Sequence, residues 1–230
     1  MSALQLPLSL RLIQALFERP GSGRVFGSDD ALVAGTEMGM SPSHVYKLLS
    51  EMSGDAGLLV RPRRGLYVMR PPLGGRDPVR PIAIAVGAVP GSVVAGQSAL
   101  AYWDLIDQAP MHVETLVTTT PPTWREGIEH HGRQTVWRFP GAAFQYRRVR
   151  EDEMFGICTV RLDSETEVPM FDRERTVLEQ FAIAPAVGEE LFAAHGKDLD
   201  RKRLNEYAQR AGGQALRGVQ RVMSETLAAA

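Results

Sequence analysis

The sequence predicts an α+β protein of two domains: a small helical domain that ends in a strand hairpin, and a larger α+β domain with a mixed sheet and a helical tail. Three observations carry this prediction. Apolar residues recur at helical spacing near the N-terminus, two short apolar strands follow them, and a Pro/Gly-rich segment at residues 71–78 precedes a series of β-branched strand segments. We therefore predict domains at residues 1–75 and 76–230, and a chain of 230 residues is long enough to bury a core in each.

Two helices are predicted before residue 40. Between Ser9 and Arg19, apolar side chains recur every three or four residues, and Pro20-Gly21 ends the helix. Ser28 is the predicted N-cap of the second helix, because its hydroxyl can accept a hydrogen bond from the first turn. Asp29 and Asp30 would then lie in that first turn, where the helix dipole favours carboxylates.

A third helix is predicted from Ser41 onward. Ser41 is the predicted N-cap, and Pro42 suits the first helical position because no N–H is needed there. One stripe of this helix is apolar at spacings i, i+3, i+4 and i+7, and it consists of Val45, Leu48, Leu49 and Met52. The opposite face is polar and consists of Ser43, Lys47 and Ser50, flanked by His44 and Tyr46.

A basic hairpin follows the third helix. Leu58–Arg61 and Leu66–Met69 read as strands, with Arg63-Arg64-Gly65 at the turn. The order helix, helix, turn, helix, hairpin is that of a winged helix-turn-helix domain. Residues 1–80 carry ten Lys and Arg against seven Asp and Glu, a net charge of +3, whereas the remainder carries a net charge of −4.

This constellation predicts binding of double-stranded DNA. An α-helix fits the major groove, where polar side chains reach base edges or phosphates, and arginines of a wing meet the sugar–phosphate backbone or the minor groove. The predicted DNA-binding residues are Ser41, Ser43, His44, Tyr46, Lys47, Ser50, Arg61, Arg63 and Arg64. The alternatives are a solvated helix face beside a basic turn, and a winged helix that serves as a protein-interaction module.

The second domain is predicted to hold a sheet and a helical tail. Strand patterns occur in VETLVTTT, QTVWRF, FQYRRV, ICTVRL and EVPMF, and a helix is predicted at QSALAYWDL. Asp172 is the predicted N-cap of RERTVLEQFAIA, whose charged residues we expect to pair on the surface. The chain then ends in helical segments, one of which carries Arg201, Lys202, Arg203 and Arg210 on what we expect to be a solvated face.

The residue patterns of the second domain predict no enzyme, no metal site and no cofactor. Gly96–Leu100 begins like a nucleophile elbow but lacks the final glycine, and His130-His131 has neither a cysteine partner nor a metal-binding spacing. The acidic run Asp163, Glu165 and Glu167 would suit a metal-dependent nuclease, but no lysine accompanies it. Asp104 and Asp107 are spaced unlike the carboxylates of a nucleotidyltransferase.

The predicted location is the cytoplasm. Cys158 is the only cysteine, so a disulfide framework is excluded, and a reducing compartment fits. The apolar N-terminal segment lacks a basic region before it and a cleavage site after it, and no run of apolar residues is long enough for a membrane span.

Five motifs, taken in order, resemble the AbiEi antitoxins, the repressor-antitoxins of the bacterial AbiE type IV toxin–antitoxin systems. They are SPSHVYKLLSEM, LLVRPRRGLYVM, PGSVVAGQSALAYWDLIDQAP, VETLVTTTPP and DRERT, and the resemblance extends over about residues 10–215. The first two are similar to the family's recognition helix and wing.

The resemblance implies a dual role. Proteins of this family repress their own operon through the N-terminal domain, which binds inverted repeats in the promoter. The resemblance therefore also implies a possible homodimer on DNA. Their C-terminal domain counteracts a partner toxin of nucleotidyltransferase type, directly or indirectly. Two alternatives remain open: a transcriptional regulator with a ligand-sensing or dimerisation domain and no toxin partner, and a DNA-targeted nuclease.

Overall fold

The chain is an α+β protein, and its computed structural model describes residues 6–18, 24–54, 57–70, 80–118, 128–131, 134–139, 142–163 and 166–228. It divides into two compact units. Unit one comprises Met1–Pro90 with Arg161–Glu167, and unit two comprises Gly91–Val160 with Val168–Ala230. Within the described part of the chain, no helix is long and apolar enough to cross a membrane.

Unit one combines helices with a three-stranded antiparallel sheet in the order β1-β3-β2. Its elements are α1 (Leu8–Glu18), β1 (Val25–Gly27), α2 (Ser28–Glu37), α3 (Pro42–Met52), β2 (Leu59–Arg63), β3 (Leu66–Met69) and α4 (Pro81–Ala88). The predicted first and third helices and the two hairpin strands are confirmed. The predicted turn is shorter than expected, because Arg63 ends strand β2 and only Arg64-Gly65 turn, with Gly65 at φ +80°.

One hydrophobic core holds helices α1, α2 and α3 against the sheet of unit one. Helix α1 contributes Leu12, Ile13 and Leu16, and helix α3 contributes its predicted stripe of Val45, Leu48, Leu49 and Met52. Helices α2 and α3 approach closely at Gly35, where an added Cβ would overlap the Val45 side chain. Burial of this stripe fixes which face of α3 points to solvent.

The start of helix α2 differs from the sequence prediction. Gly27, not Ser28, is the N-cap, and its N–H donates to the Asp30 carboxylate at 2.8 Å. Ser28 is the first residue of the helix, and its backbone N–H donates to the Gly65 carbonyl at 2.9 Å. Strand β1 explains the shift: it pairs with β3 up to Gly27, so the chain leaves the sheet and enters the helix one residue earlier than expected.

The segment after the hairpin also adds an element. The linker predicted at residues 71–78, and with it the boundary between residues 75 and 76, lies outside the described residues. The apolar segment beyond it forms helix α4, which belongs to unit one, so the division into compact units falls after Pro90. Gly87 of this helix lies against Val25 of β1, where a Cβ would come within 2.5 Å of the valine Cγ1.

Unit two contains a mixed seven-stranded sheet in the order β6-β7-β8-β5-β4-β10-β9. The pairs β5–β8 and β4–β10 are parallel, whereas β4–β5, β6–β7 and β7–β8 are antiparallel. The strands are β4 (Val93–Val94), β5 (Val113–Val117), β6 (Ile128–His131), β7 (Gln134–Phe139), β8 (Ala142–Arg148), β9 (Ile157–Arg161) and β10 (Glu167–Phe171). All five predicted strands are present, and His130-His131 belongs to a further strand, β6.

The helices of unit two pack around α6. They are α5 (Gly96–Tyr102), α6 (Arg173–Ile183), α7 (Pro185–His195), α8 (Arg201–Ala211) and α9 (Gly213–Ala228), and a 3₁₀ turn spans Glu151–Glu153. Asp172 caps α6 as predicted, accepting from the Arg175 N–H at 2.8 Å. Val177, Leu178 and Phe181 of α6 lie in the main core of the unit, so α6 is its central helix.

Candidate nucleic-acid interface

Helix α3 presents the polar face that the sequence predicts. Its apolar stripe is buried, and the side chains on its other sides are exposed. The exposed residues of the predicted site on this segment are Ser41, Ser43, His44, Tyr46, Lys47 and Ser50. The Tyr46 side chain is a large aromatic group that is nearly half exposed, at 48%. A partner that approaches this face would meet hydroxyl, imidazole, phenol and ammonium groups.

Local hydrogen bonds order the first turn of α3. The Ser41 hydroxyl accepts the His44 N–H at 3.4 Å and lies 3.1 Å from the Ser43 hydroxyl. Ser41 therefore acts as a cap, and its capacity for a further contact is reduced. Ser43 and His44 stand beside it on the N-terminal turn, where the partial positive charge of the helix end favours an anion.

Lys47 supplies the cation of this face. Its ammonium lies 3.9 Å from a Glu51 carboxylate oxygen, and both side chains are mostly exposed. An exposed pair of this kind contributes less than about 1 kcal/mol. Lys47 can therefore exchange Glu51 for a phosphate at little cost.

The hairpin arginines have different environments. Arg61 and Arg64 are exposed, and the Arg61 guanidinium lies 5.6 Å from the centre of the Tyr67 ring on the neighbouring strand. Arg63 is half-buried, and it donates hydrogen bonds to the Ala88 carbonyl at 2.9 Å and the Arg64 carbonyl at 3.1 Å. Arg63 thus ties the hairpin to helix α4, a role that the sequence does not suggest.

A buried ion pair in unit one accounts for part of the acidic run. Arg24 is only 3% exposed, and its guanidinium lies 3.6 Å from the Asp163 carboxylate. Glu167 pairs on the surface with Arg161 at 2.9 Å, and Glu165 lies outside the described residues. These pairings are structural ones, and the described residues contain no group of three or more His, Cys, Asp or Glu that could hold a metal ion.

The motif at Gly96–Leu100, which begins like a nucleophile elbow, has a structural role. Ser98 is buried, donates to the His112 carbonyl at 3.2 Å and accepts the Glu114 N–H at 2.9 Å. It joins helix α5 to strand β5. Gly96 has φ +55°, and an added Cβ there would overlap the Glu114 carboxylate, so the helix start requires a glycine.

The charged residues of α6 are buried, which corrects the expected surface pairing. Glu174, Arg175 and Glu179 are each less than 9% exposed. Glu179 pairs with Arg147 of β8 and accepts the Gly96 N–H at 3.1 Å. One feature of the sequence indicates this burial: α6 has no continuous polar stripe, because Val177, Leu178 and Phe181 surround the charged positions.

Burial also shifts the pKa values of acidic groups in unit two. The pKa of Glu114 is raised, mainly because the carboxyl is removed from water and further because Glu179 lies nearby; the Gln97 N–H bond at 3.1 Å opposes this. The pKa of Asp172 is raised by burial as well, although the Arg175 N–H and the Tyr207 hydroxyl bond to its carboxylate.

A cavity of ≈340 Å³ lies in unit two and is lined by four arginines. They come from β8, the segment after it, α6 and α8, and they are Arg147, Arg150, Arg175 and Arg210. The local sequence predicts a solvated face for Arg210 and a surface pair for Arg175. Their convergence depends on the tertiary fold, and no local spacing indicates it.

No protein-family model matches the chain, and no curated protein sequence matches it. Among solved structures, the fold is similar to the crystal structure of the RV2827C protein from Mycobacterium tuberculosis, with a TM-score of 0.50. The two chains are 18% identical, and the match covers 96% of this chain and 78% of that one. At this identity the likeness concerns the fold alone, and it supports the α+β architecture over nearly the whole chain.

Proposed function

We propose that the chain is a DNA-binding transcriptional autorepressor and that unit one is its winged helix-turn-helix domain. The observation that carries the proposal is helix α3, whose apolar side is wholly buried while six polar residues of the predicted site are exposed. A helix of this kind enters the major groove with its exposed side chains towards the base edges.

The hairpin supports the same role. Arg61 on strand β2 and Arg64 in the turn of the hairpin are exposed cations in the unit that contains α3. Guanidinium groups bind phosphates through charge-assisted hydrogen bonds. Arg61 and Arg64 therefore fit the wing of such a domain. Arg63 instead stabilises the hairpin by donating a hydrogen bond to the Ala88 carbonyl.

We further propose that the chain is the antitoxin of an AbiE-like operon and acts in the cytoplasm. This step rests on the resemblance of the ordered motifs, and unit two is the part that would counteract a nucleotidyltransferase-type toxin. Inverted repeats in the operator would then bind two copies of the chain, one on each half-site. We assign the catalytic chemistry to the partner toxin and none to this chain.

Two measurements test the two halves of this proposal. Purified full-length protein should bind the promoter that precedes its own gene more tightly than unrelated duplex DNA, and Lys47→Ala should weaken that binding. Co-expression of the chain should restore growth to cells that express the adjacent gene. Equal affinity for promoter and unrelated DNA would contradict autorepression, and a lack of rescue by folded protein would contradict the antitoxin role.

A second candidate is a winged-helix regulator whose second unit senses a ligand. The observation that favours it is the cavity of ≈340 Å³ in unit two, since small-molecule sites occupy about 300–1,000 Å³. Rescue from an adjacent toxin separates the two candidates, because a regulator without a toxin partner would give none.

A further inference from the structure

The cavity of unit two contains more positive charge than its own carboxylates neutralise. Arg147 pairs with the buried Glu179, and Arg150 pairs with Asp152 at 2.6 Å. The third carboxylate of the lining, Glu153, accepts the backbone N–H of Arg150 at 2.8 Å. Each acidic side chain of the cavity is thus engaged with one of these two arginines.

In the part of the chain that the structure describes, the other two arginines of the cavity have no carboxylate partner within 4.0 Å. Among the described residues, the hydrogen bonds of the Arg175 and Arg210 guanidiniums go to backbone carbonyls, Arg175 to Glu153 at 3.4 Å and Arg210 to Asp152 at 3.5 Å. Both distances are long for a charge-assisted hydrogen bond, which is about 2.7–2.9 Å. Both cations therefore retain donors for an anion.

The two guanidiniums also share one aromatic ring. The Phe155 ring centre lies 4.6 Å from the Arg175 guanidinium and 4.4 Å from that of Arg210. Arg175 stacks on Phe171 as well, at 4.4 Å, and it is only 8% exposed. The Arg175 Nε is buried and has no hydrogen-bond partner in the described structure. Removal of this cation from water lowers its pKa; the negative charge of the nearby Glu179 opposes this shift, and the positive charge of Arg147 adds to it.

The start of helix α9 borders the same cavity. Gly212 and Gly213 have φ values of +66° and +54°, and a Cβ added to either would meet nothing within 4 Å. The helix has 16 residues and no acidic residue in its first turn. Its first backbone N–H groups have no partner within the helix, and they carry a partial positive charge that attracts anions.

Part of the remaining wall is apolar. Leu178, Ala182 and Ile183 of α6 line it, together with Ala215 of α9. The cavity of ≈340 Å³ is much larger than a tetrahedral anion with five heavy atoms. A ligand that fills it needs an organic portion as well as a negative charge.

We propose that this cavity binds a small organic phosphate, with the phosphate between Arg175, Arg210 and the start of helix α9 and the organic portion against the apolar wall. The inference rests on the second candidate function for its biological purpose, because it supplies the ligand class that a sensing unit would take. The binding itself does not depend on DNA, so failure to bind an operator would leave it intact.

The test is calorimetric titration of the full-length protein, without DNA, against four probes. AMP and glucose 6-phosphate carry a phosphate and an organic portion, inorganic phosphate has only the anion, and adenosine has only the organic portion. We expect at least one organic phosphate to bind with a Kd below about 1 mM, the level of weak binding, and more tightly than inorganic phosphate or adenosine. Absence of binding by both organic phosphates, or equal binding of inorganic phosphate, would overturn the proposal.

Three variants connect that binding to the cavity. Arg210→Gln, an exposed position, should weaken binding by about tenfold or more, the usual effect of removing one charge-assisted bond. Arg217→Gln is the matched control, since Arg217 is an exposed arginine of α9 outside the lining, and it should leave the Kd within about twofold. Arg175→Gln should also weaken binding, with far-UV circular dichroism confirming that it is folded. Unchanged affinity in Arg210→Gln would place the ligand elsewhere and refute the assignment.

Discussion

The hairpin arginines give the sharpest test of DNA binding, because two adjacent residues are predicted to behave differently. Arg64 is exposed, whereas the Arg63 guanidinium bonds the Ala88 carbonyl at 2.9 Å. We predict that Arg64→Ala lowers the slope of log K against log salt by about 0.9, the value for one lost phosphate contact. Arg63→Ala should leave that slope nearly unchanged and lower the free energy of unfolding by about 1 kcal/mol, the usual value of one hydrogen bond.

The assay is fluorescence anisotropy with a labelled duplex over a salt series, paired with urea unfolding of each variant. Lys47→Ala and Arg61→Ala should each lower the slope by about the same 0.9 as Arg64→Ala, since both cations are exposed. Arg11→Ala on helix α1 is the control, because Arg11 is an exposed cation outside the predicted site. An unchanged slope in Arg64→Ala, or an equal loss of slope in Arg63→Ala, would refute this interpretation of the hairpin.

Three further predictions concern the stability of unit two. Gly96→Ala should lower the free energy of unfolding by about 2 kcal/mol or more, measured by urea denaturation, because φ is +55° and the new Cβ would overlap Glu114; Gly212→Ala, at a positive φ but with open space, should cost less and is the control. Glu179→Gln should cost about 3 kcal/mol, since it leaves the Arg147 charge without its buried partner; an effect below about 1 kcal/mol would show that this pair is well solvated. The pKa of Glu114 is higher in the folded state than in the unfolded state. The protonated Glu114 carboxyl therefore stabilises the fold at pH values below the unfolded-state pKa, and this stabilisation is lost as the pH rises through the folded-state pKa. Glu114→Gln should therefore gain stability relative to the wild type as the pH rises above the ordinary pKa of a glutamate in the same assay, and a constant difference would contradict the shift.

Local patterns were sufficient for the elements of unit one that carry the predicted site. The stripe of α3 follows from helical periodicity, and Ser41 with Pro42 marks its start, so both the helix and its exposed face could be predicted. Strand β1 has only three residues, too few for a period of two to be recognised, and it was missed. The predicted N-cap of α2 is wrong by one residue because strand β1 is not recognised in the sequence: Gly27 is held at the helix start by the pairing of β1 with β3.

Tertiary contacts decide what local patterns could not. Arg63 has the same local context as Arg64, and it differs because the carbonyl of Ala88, 25 residues away, lies within reach. In α6, Arg175 and Glu179 have the i,i+4 spacing of a surface pair, yet Glu179 pairs instead with Arg147 of a neighbouring strand. Spacing along one helix cannot distinguish an exposed pair from a buried one when apolar residues lie on every side.

The number of exposed cations in the predicted site bears on how DNA would be bound. Lys47, Arg61 and Arg64 are three cations, and together they would contribute a salt slope of about 2.7 per chain. That is a small electrostatic contribution, because specific binding proteins make about six to ten phosphate contacts. Two chains on an inverted repeat would make six such contacts, the lower end of that range, and would double the slope to about 5.4. The proposed site is therefore better suited to an operator with two half-sites than to one, and removal of one half-site should reduce the affinity and halve the salt slope together.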